Sequence, residues 1–486
     1  MKESVSLLRK NGQLIQAYQL ADKQLTNSPE DKNCKNDMLW VYYAFIKEQL
    51  EQINYSNILK IMKKVCELGV FDNQMFNDSF NWQLVKLIGK INTDDNNQKQ
   101  LLDILKTCHN MLQNQEASES KSILIKMIMK QLKGQPQAWQ LLNFLDFSHY
   151  RKEDFNSEEY QGKKMMPLFE QMLYAFLKNW LLTAKEKNQE ALDYAPVIIQ
   201  QLNHISQHYS FKFLNYYFAQ LYLLIDNKSE AYIKAKLFLQ KNLSQAWAWE
   251  LLAKSTESSE EKIQFLSKAL VLQNKKNFTV GILQSIIDHY IFNGESASAS
   301  YFAQQLIAIR KKEGWNISNS LYQIALANNT NKDIETQLKE SIQNNANNAM
   351  QSAFNQASKQ TMVISGVDKN RALYFLVSQE GNTYKLKNKK RYHIGQLVLC
   401  LVLNDTIVDM QIQKQKTMST AFIKTITAKL KCVKDFGFLG NAFVSPKVVK
   451  SIKNKEDELT ALAIKEKNPK TQKLAWRVLH IYSNNC

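Results

Sequence analysis

Phe218-Ala219-Gln220-Leu221-Tyr222 returns 34 residues later as Leu252-Ala253-Lys254-Ser255-Thr256, and after the same interval as Ile286-Ile287-Asp288-His289-Tyr290. The same period places Ala235, Ala269 and Ala303 in a second column, and Asp226, Glu260 and Gly294 in a third where a turn is expected. A fixed interval of this size marks an array of helical hairpins stacked on one another. Alanine at the crossing lets two helix axes approach at the short end of the usual range of about 8–10 Å. A bulky neighbour such as Trp249 or Tyr290 then fills the groove beside it.

These columns resemble the tetratricopeptide (TPR) repeat. The pattern recurs near the N-terminus as Gly12, Ala17, Ala21 and Pro29. From about residue 35 to residue 210 the phase is less clean, but the helical period persists over Met38–Leu50, Tyr55–Leu68 and Ser122–Leu132. Trp40, Tyr42, Tyr43 and Phe45 crowd too closely to line a single face, so neighbours should cover both sides of that helix. The resemblance implies an all-α, TPR-like solenoid over 1–340 whose concave groove takes a protein partner.

Bulk composition agrees. A chain of 486 residues exceeds what one core can organise, and 13 Gly with 6 Pro is sparse, as in mostly helical proteins. No run of apolar residues is long enough to span a bilayer, and the first residues carry an acid where a secretion signal would be apolar, so a cytoplasmic protein without a membrane partner is expected. The six cysteines show no Cys-x-x-Cys spacing, so neither a disulfide framework nor a metal is implied.

Charge divides the chain. Of the formal +18, residues 359–486 carry +14, from 23 Lys and Arg against 9 Asp and Glu; the remainder holds 40 against 36. Such a concentration suits a surface that meets phosphates. Ahead of it lies a polar stretch over 341–360, including Asn344-Asn345-Ala346-Asn347-Asn348-Ala349, expected to bury little and to act as a linker or terminal helix.

Beyond Gln360 the period becomes alternating, with Leu373-Tyr374-Phe375-Leu376-Val377 and Leu397-Val398-Leu399-Cys400-Leu401-Val402 among the first strands. Short strands at such spacing predict small barrels, one over 361–415 and a second over 420–486. The fold class is therefore α+β multidomain, a helical solenoid followed by two OB-like β-barrel modules.

Lys434-Asp435-Phe436-Gly437-Phe438 and Ala442-Phe443-Val444-Ser445 resemble the paired strands of cold-shock-type OB barrels. In that family Lys-Gly-Phe-Gly-Phe lies beside Val-Phe-Val-His, and their rings stack unpaired bases. Phe436, Phe438 and Phe443 match, whereas Asp435 stands at the first glycine and Ser445 at the histidine. The resemblance implies a single-strand site on these rings. Lys429, Lys431, Lys434, Lys447, Lys450 and Lys453 supply positive charge nearby. In the first module the densest basic run is Lys385, Lys387, Lys389, Lys390 and Arg391, flanked by Tyr384 and Tyr392, and it is expected to meet backbone phosphates.

No phosphate loop, nucleophile elbow or zinc helix is present, so no catalytic residue and no cofactor is expected. His204 and His208 lie one helical turn apart, a pair read as structural. The expectation is a non-catalytic adaptor binding single-stranded nucleic acid, RNA ahead of DNA, through the basic barrels and a protein through the solenoid. The alternatives are a purely protein-binding scaffold of a multi-protein, defence or mobile-element complex, and an unrecognised nucleic-acid-processing enzyme.

Overall fold

The structure is a computed structural model that describes residues 4–52, 54–69, 72–91, 98–328, 332–368, 370–387, 391–403, 405–412, 421–452, 458–468 and 471–482. Two compact units divide the chain, Met1–Ala231 and Tyr232–Cys486.

In the first unit, side chains that cap helices punctuate the sequence. Asp31 Oδ1 accepts from the backbone N–H groups of Asn33 (2.7 Å) and Cys34 (3.1 Å), which starts the helix Lys32–Glu51. Ala17 and Ala21 are fully buried on Leu14–Asn27, as crossing-point alanines require. The crowded aromatics are covered from both sides. Tyr18 packs on Tyr42 and Phe45, while Trp40 meets Phe76 from the helix Gln74–Lys90. Regular hairpins lapse after Gln131, where short 3-10 turns at Pro136–Leu142, Phe147–His149 and Lys152–Phe155 precede the helix Leu168–Lys185. His204 stacks on Phe147 (centroids 5.2 Å apart) and His208 meets the same ring edge-on (5.7 Å).

In the second unit the repeat columns become packing. Ala253, Ala269, Ile287 and Ala303 are all buried, on Ala246–Ser255, Ser259–Leu272, Val280–Phe292 and Ser296–Glu313. The polar stretch takes the helical form of the two expected, but buries more than expected. It belongs to a long helix, Lys332–Ala353, that packs along Ser259–Leu272 and buries Leu338, Ile342, Ala346, Ala349, Met350 and Ala353. Alanines at helical spacing supply a flat stripe that allows close approach even where the other faces are Asn and Gln.

Ten C-terminal strands follow: β1 (Ser358–Asp368), β2 (Leu373–Ser378), β3 (Thr383–Lys387), β4 (Leu397–Leu403), β5 (Thr406–Ile412), β6 (Ile423–Val433), β7 (Phe436–Leu439), β8 (Ala442–Val444), β9 (Glu458–Lys467) and β10 (Leu474–Ile481). The first five form an antiparallel half-barrel in the order β3-β2-β1-β4-β5, with its edge strands brought near each other. Inward residues Met362, Ile364, Leu376, Val398 and Cys400 fill it. The last five close into a barrel, β8-β10-β9-β6-β7, around Leu430, Leu439, Ala442, Val444, Ala461 and Val478. Strand alternation sends the intervening residues outward. On the closed barrel, outward Ile423, Leu462, Ile464 and Leu479 are nevertheless buried, because Val363, Val377 and Leu397 from the outer face of the half-barrel cover them.

Candidate nucleic-acid interface

Strand β7 carries Phe436 and Phe438 outward and Gly437 and Leu439 inward. A hairpin of two residues, Lys434 and Asp435, joins it to β6, and Lys434 takes the left-handed conformation (φ +56°). Gly437 is there for space. A Cβ at this position would sit 2.9 Å from the Lys431 carbonyl oxygen and 3.0 Å from Leu430 Cδ1. The second glycine of the motif therefore lets β7 lie close on β6 with both rings displayed.

The three rings meet as one cluster. Their centroids are 5.9 Å (Phe436–Phe438), 5.6 Å (Phe436–Phe443) and 6.1 Å (Phe438–Phe443) apart. None belongs to the barrel core, and Phe438 is 38% exposed while the other two are half-buried. Tilted and edge-on pairs of this kind stabilise one another by about 0.5–1.5 kcal/mol beyond their buried area. Because the planes cross, the cluster offers one main stacking surface, that of Phe438, buttressed by its two neighbours.

Register places charge on both sides. Lys431 pairs with Phe438 across the β6–β7 ladder, Phe438 with Phe443 across β7–β8, and Phe443 with Arg477 across β8–β10. One outward row therefore reads Lys431, Phe438, Phe443, Arg477. Lys429, Lys434, Lys447 and Lys450 are also exposed; Lys453 lies outside the described residues. The one exposed acid within the motif is Asp435, in the hairpin turn.

Sequence reasoning missed Arg477. Its Nε and Nη2 donate to Glu466 Oε1 (2.5 Å) and Oε2 (3.0 Å), a bidentate pair at the end of the row. Alternation within β10 was the available signal, but only barrel closure brings that strand beside β8. Trp476 was missed too, and Lys424 Nζ lies 4.1 Å from its ring centroid at the barrel rim.

The basic run of the first module is only partly described. Lys385 and Lys387 are exposed on β3 and Arg391 beyond it, whereas Lys389 and Lys390 lie outside the described residues. The flanking tyrosines face inward: Tyr384 is buried, and Tyr392 packs edge-on against Tyr374 within the half-barrel core. The displayed ring is Phe375, paired in register with Lys385, whose Nζ lies 6.0 Å from its centroid.

A closed five-stranded barrel in this strand order, displaying phenylalanines in a lysine-rich field, has the architecture of an OB-like fold. Residues 424–481 are matched by the family described as S1/CSD-like domain 2 of the TOTE conflict systems. Residues 212–360, the hairpins and the long helix behind them, are matched by a domain of unknown function, DUF7017. No curated protein matches the chain. Among the described residues, no helix is long and apolar enough to cross a membrane.

Proposed function

We propose that the chain is a non-catalytic, cytoplasmic adaptor that holds single-stranded nucleic acid, RNA ahead of DNA, on its C-terminal barrel. Its helical part, read as a TPR-like solenoid, would recruit a protein partner. The observation that carries the reading is the outward row in which Phe438, braced by Phe436 and Phe443, lies between Lys431 and Arg477. Stacking on an exposed ring supplies about 1–3 kcal/mol per base, and cations beside it track the phosphates. RNA leads because proteins ordinarily read it as unstacked single strands. The family match on the same barrel supports a role in a conflict system, in which a helical platform would bring the bound strand to other subunits.

A second reading rests on the same exposed lysines: a scaffold in which the basic barrel docks on an acidic subunit. Fluorescence anisotropy of the full chain with a labelled oligouridylate separates the two. Binding that weakens steeply from about 50 to about 200 mM salt and is weakened in Phe438→Ala supports the adaptor. Absence of binding at about 50 mM salt would leave the scaffold. Incubation of unlabelled RNA with a divalent metal tests the third reading, since cleavage products would make the protein an enzyme.

A further inference from the structure

The two β modules are joined more firmly than by a linker. The apolar residues that each turns outward are buried against the other, with Val377 of β2 among them. At one margin of this seam the Lys467 backbone N–H donates to the Gly381 carbonyl oxygen (3.1 Å), and Lys467 Nζ donates to Asn382 Oδ1 (2.7 Å). Gly381 has φ +78°, and a Cβ there would meet Leu474 Cδ2 at 2.4 Å and the Lys467 nitrogen at 3.0 Å. The β2–β3 turn is therefore seated on the β9–β10 end of the closed barrel.

This seam lies between two displayed aromatic stations. On the closed barrel, Phe443 is one strand from Arg477, and β10 leads back three residues to Leu474, which pairs with Lys467. On the half-barrel, Lys385 follows Asn382 by three residues. Lys385 and Phe375 share the outer face that Val377 carries into the seam, since all three alternate with inward Leu376 and Tyr384. With about 4.8 Å between strands and about 3.3 Å per residue, the strand steps and residues of the path from Phe443 to Lys385 come to roughly 30 Å, to which the Lys467–Asn382 contact is added. Arg477, Lys467 and Lys385 line it. Of the acids beside it, Glu466 is held by Arg477, and Glu380 accepts from Asn382 Nδ2 (3.3 Å).

We propose that the two modules form one track for a single strand, running from Phe438 and Phe443 past Arg477 and the Lys467–Asn382 seam to a second stacking station at Phe375 and Lys385. The inference rests on the nucleic-acid reading above and extends it to a composite site. A rigid seam holds the second station at a fixed distance from the first, so a strand reaching both binds with an intramolecular gain that a short strand lacks.

The test is anisotropy on the full chain with labelled oligouridylates of roughly 4 and roughly 12 nucleotides, lengths bracketing one station and the whole track. Counting binding registers alone makes the longer probe tighter by roughly ninefold, so the track predicts a ratio of affinities beyond about 100-fold. In the variant carrying Phe375→Ala and Lys385→Ala, the ratio should fall to about the register value. Lys385→Glu, at an exposed position, gives the same readout if Phe375→Ala perturbs the sheet. A ratio near ninefold in the unaltered protein, or a large ratio that survives both variants, overturns the track and leaves the ring cluster standing. If neither probe binds, the nucleic-acid reading itself falls, and the track with it.

Discussion

Phe438 lies directly across the β7–β8 ladder from Phe443, with ring centroids 6.1 Å apart and planes crossing at 70°, while its other cross-strand neighbour is Lys431. A ring supported at its edge and flanked by an ammonium is already oriented before a base arrives. Little side-chain entropy is then lost when the base stacks. Position in the row also ranks the rings, since Phe438 is the exposed one and Phe436 and Phe443 stand partly behind it.

Phe438→Ala should weaken binding of a short oligouridylate by about 1–3 kcal/mol, roughly 5- to 150-fold, with little change in thermal midpoint. Phe436→Ala should do the reverse, costing more in stability than in affinity. Equal loss of affinity in the two variants, measured by anisotropy beside thermal melts, would contradict the ranking.

Lys431 and Lys447 should act through phosphate charge. Replacing both by alanine is expected to flatten the plot of log affinity against log salt by about 1.4, from roughly 0.7 per phosphate contact on a single strand. A parallel line displaced downward would show that neither lysine meets a phosphate.

Glu466→Gln should raise affinity about two- to fivefold and steepen the salt dependence. The change removes the carboxylate that occupies both Nε and Nη2 of Arg477, returning a full cation to the row beside Phe443. Weaker binding would mean that Glu466 is needed to hold Arg477 in place.

Gly437→Ala should destabilise the closed barrel by about 1–3 kcal/mol, because its Cβ would press on strand backbone that cannot move aside as a side chain can. Thermal unfolding of the full chain checks it, and an unchanged midpoint would refute the close approach of β7 to β6.

In the first unit, Lys121 is fully buried, donating from Nζ to the Gln115 carbonyl oxygen (2.6 Å) and to His149 Nδ1 (3.1 Å). Burial first, then the Lys121 charge, holds His149 down to about 4, with Asp146 opposing and His109 adding to the shift. Burial holds Lys121 down to about 8, again with Asp146 opposing. Both folded values lie below the ordinary 6.5 and 10.5, so the unfolded chain binds more protons in each window and stability rises with pH there. The His149 contribution, on the order of 3 kcal/mol, should be gained between about pH 4 and 6.5. Urea midpoints of His149→Phe should rise less across that range than those of the unaltered protein, and identical curves would exclude the histidine as the cause.

Much of this architecture is legible because it is periodic. Ala235, Ala269 and Ala303 repeat at the hairpin interval, and each is fully buried. The alternation of Phe436, Gly437, Phe438 and Leu439 separates the displayed face from the core. The Asn and Gln stretch, open in sequence to a helix or a linker, buries more than expected because polar composition hides a stripe of alanines, and small residues pack on a helix neighbour without raising hydrophobicity.

What the amino-acid order determined by itself is local: helix period, strand alternation, the basic C-terminal quarter and the aromatic motif. Tertiary structure alone decided which outward residues meet. Ile423, Leu462 and Ile464 resemble core positions in the sequence, yet they bury against a second module. Arg477 reaches the phenylalanine row only because β10 closes the barrel beside β8. Likewise the basic run displays Phe375 and not its flanking tyrosines, since strand pairing sets the face to which each ring is turned. Periodicity is written over neighbouring residues, whereas pairing and docking depend on the free energy of surfaces brought together from distant parts of the chain.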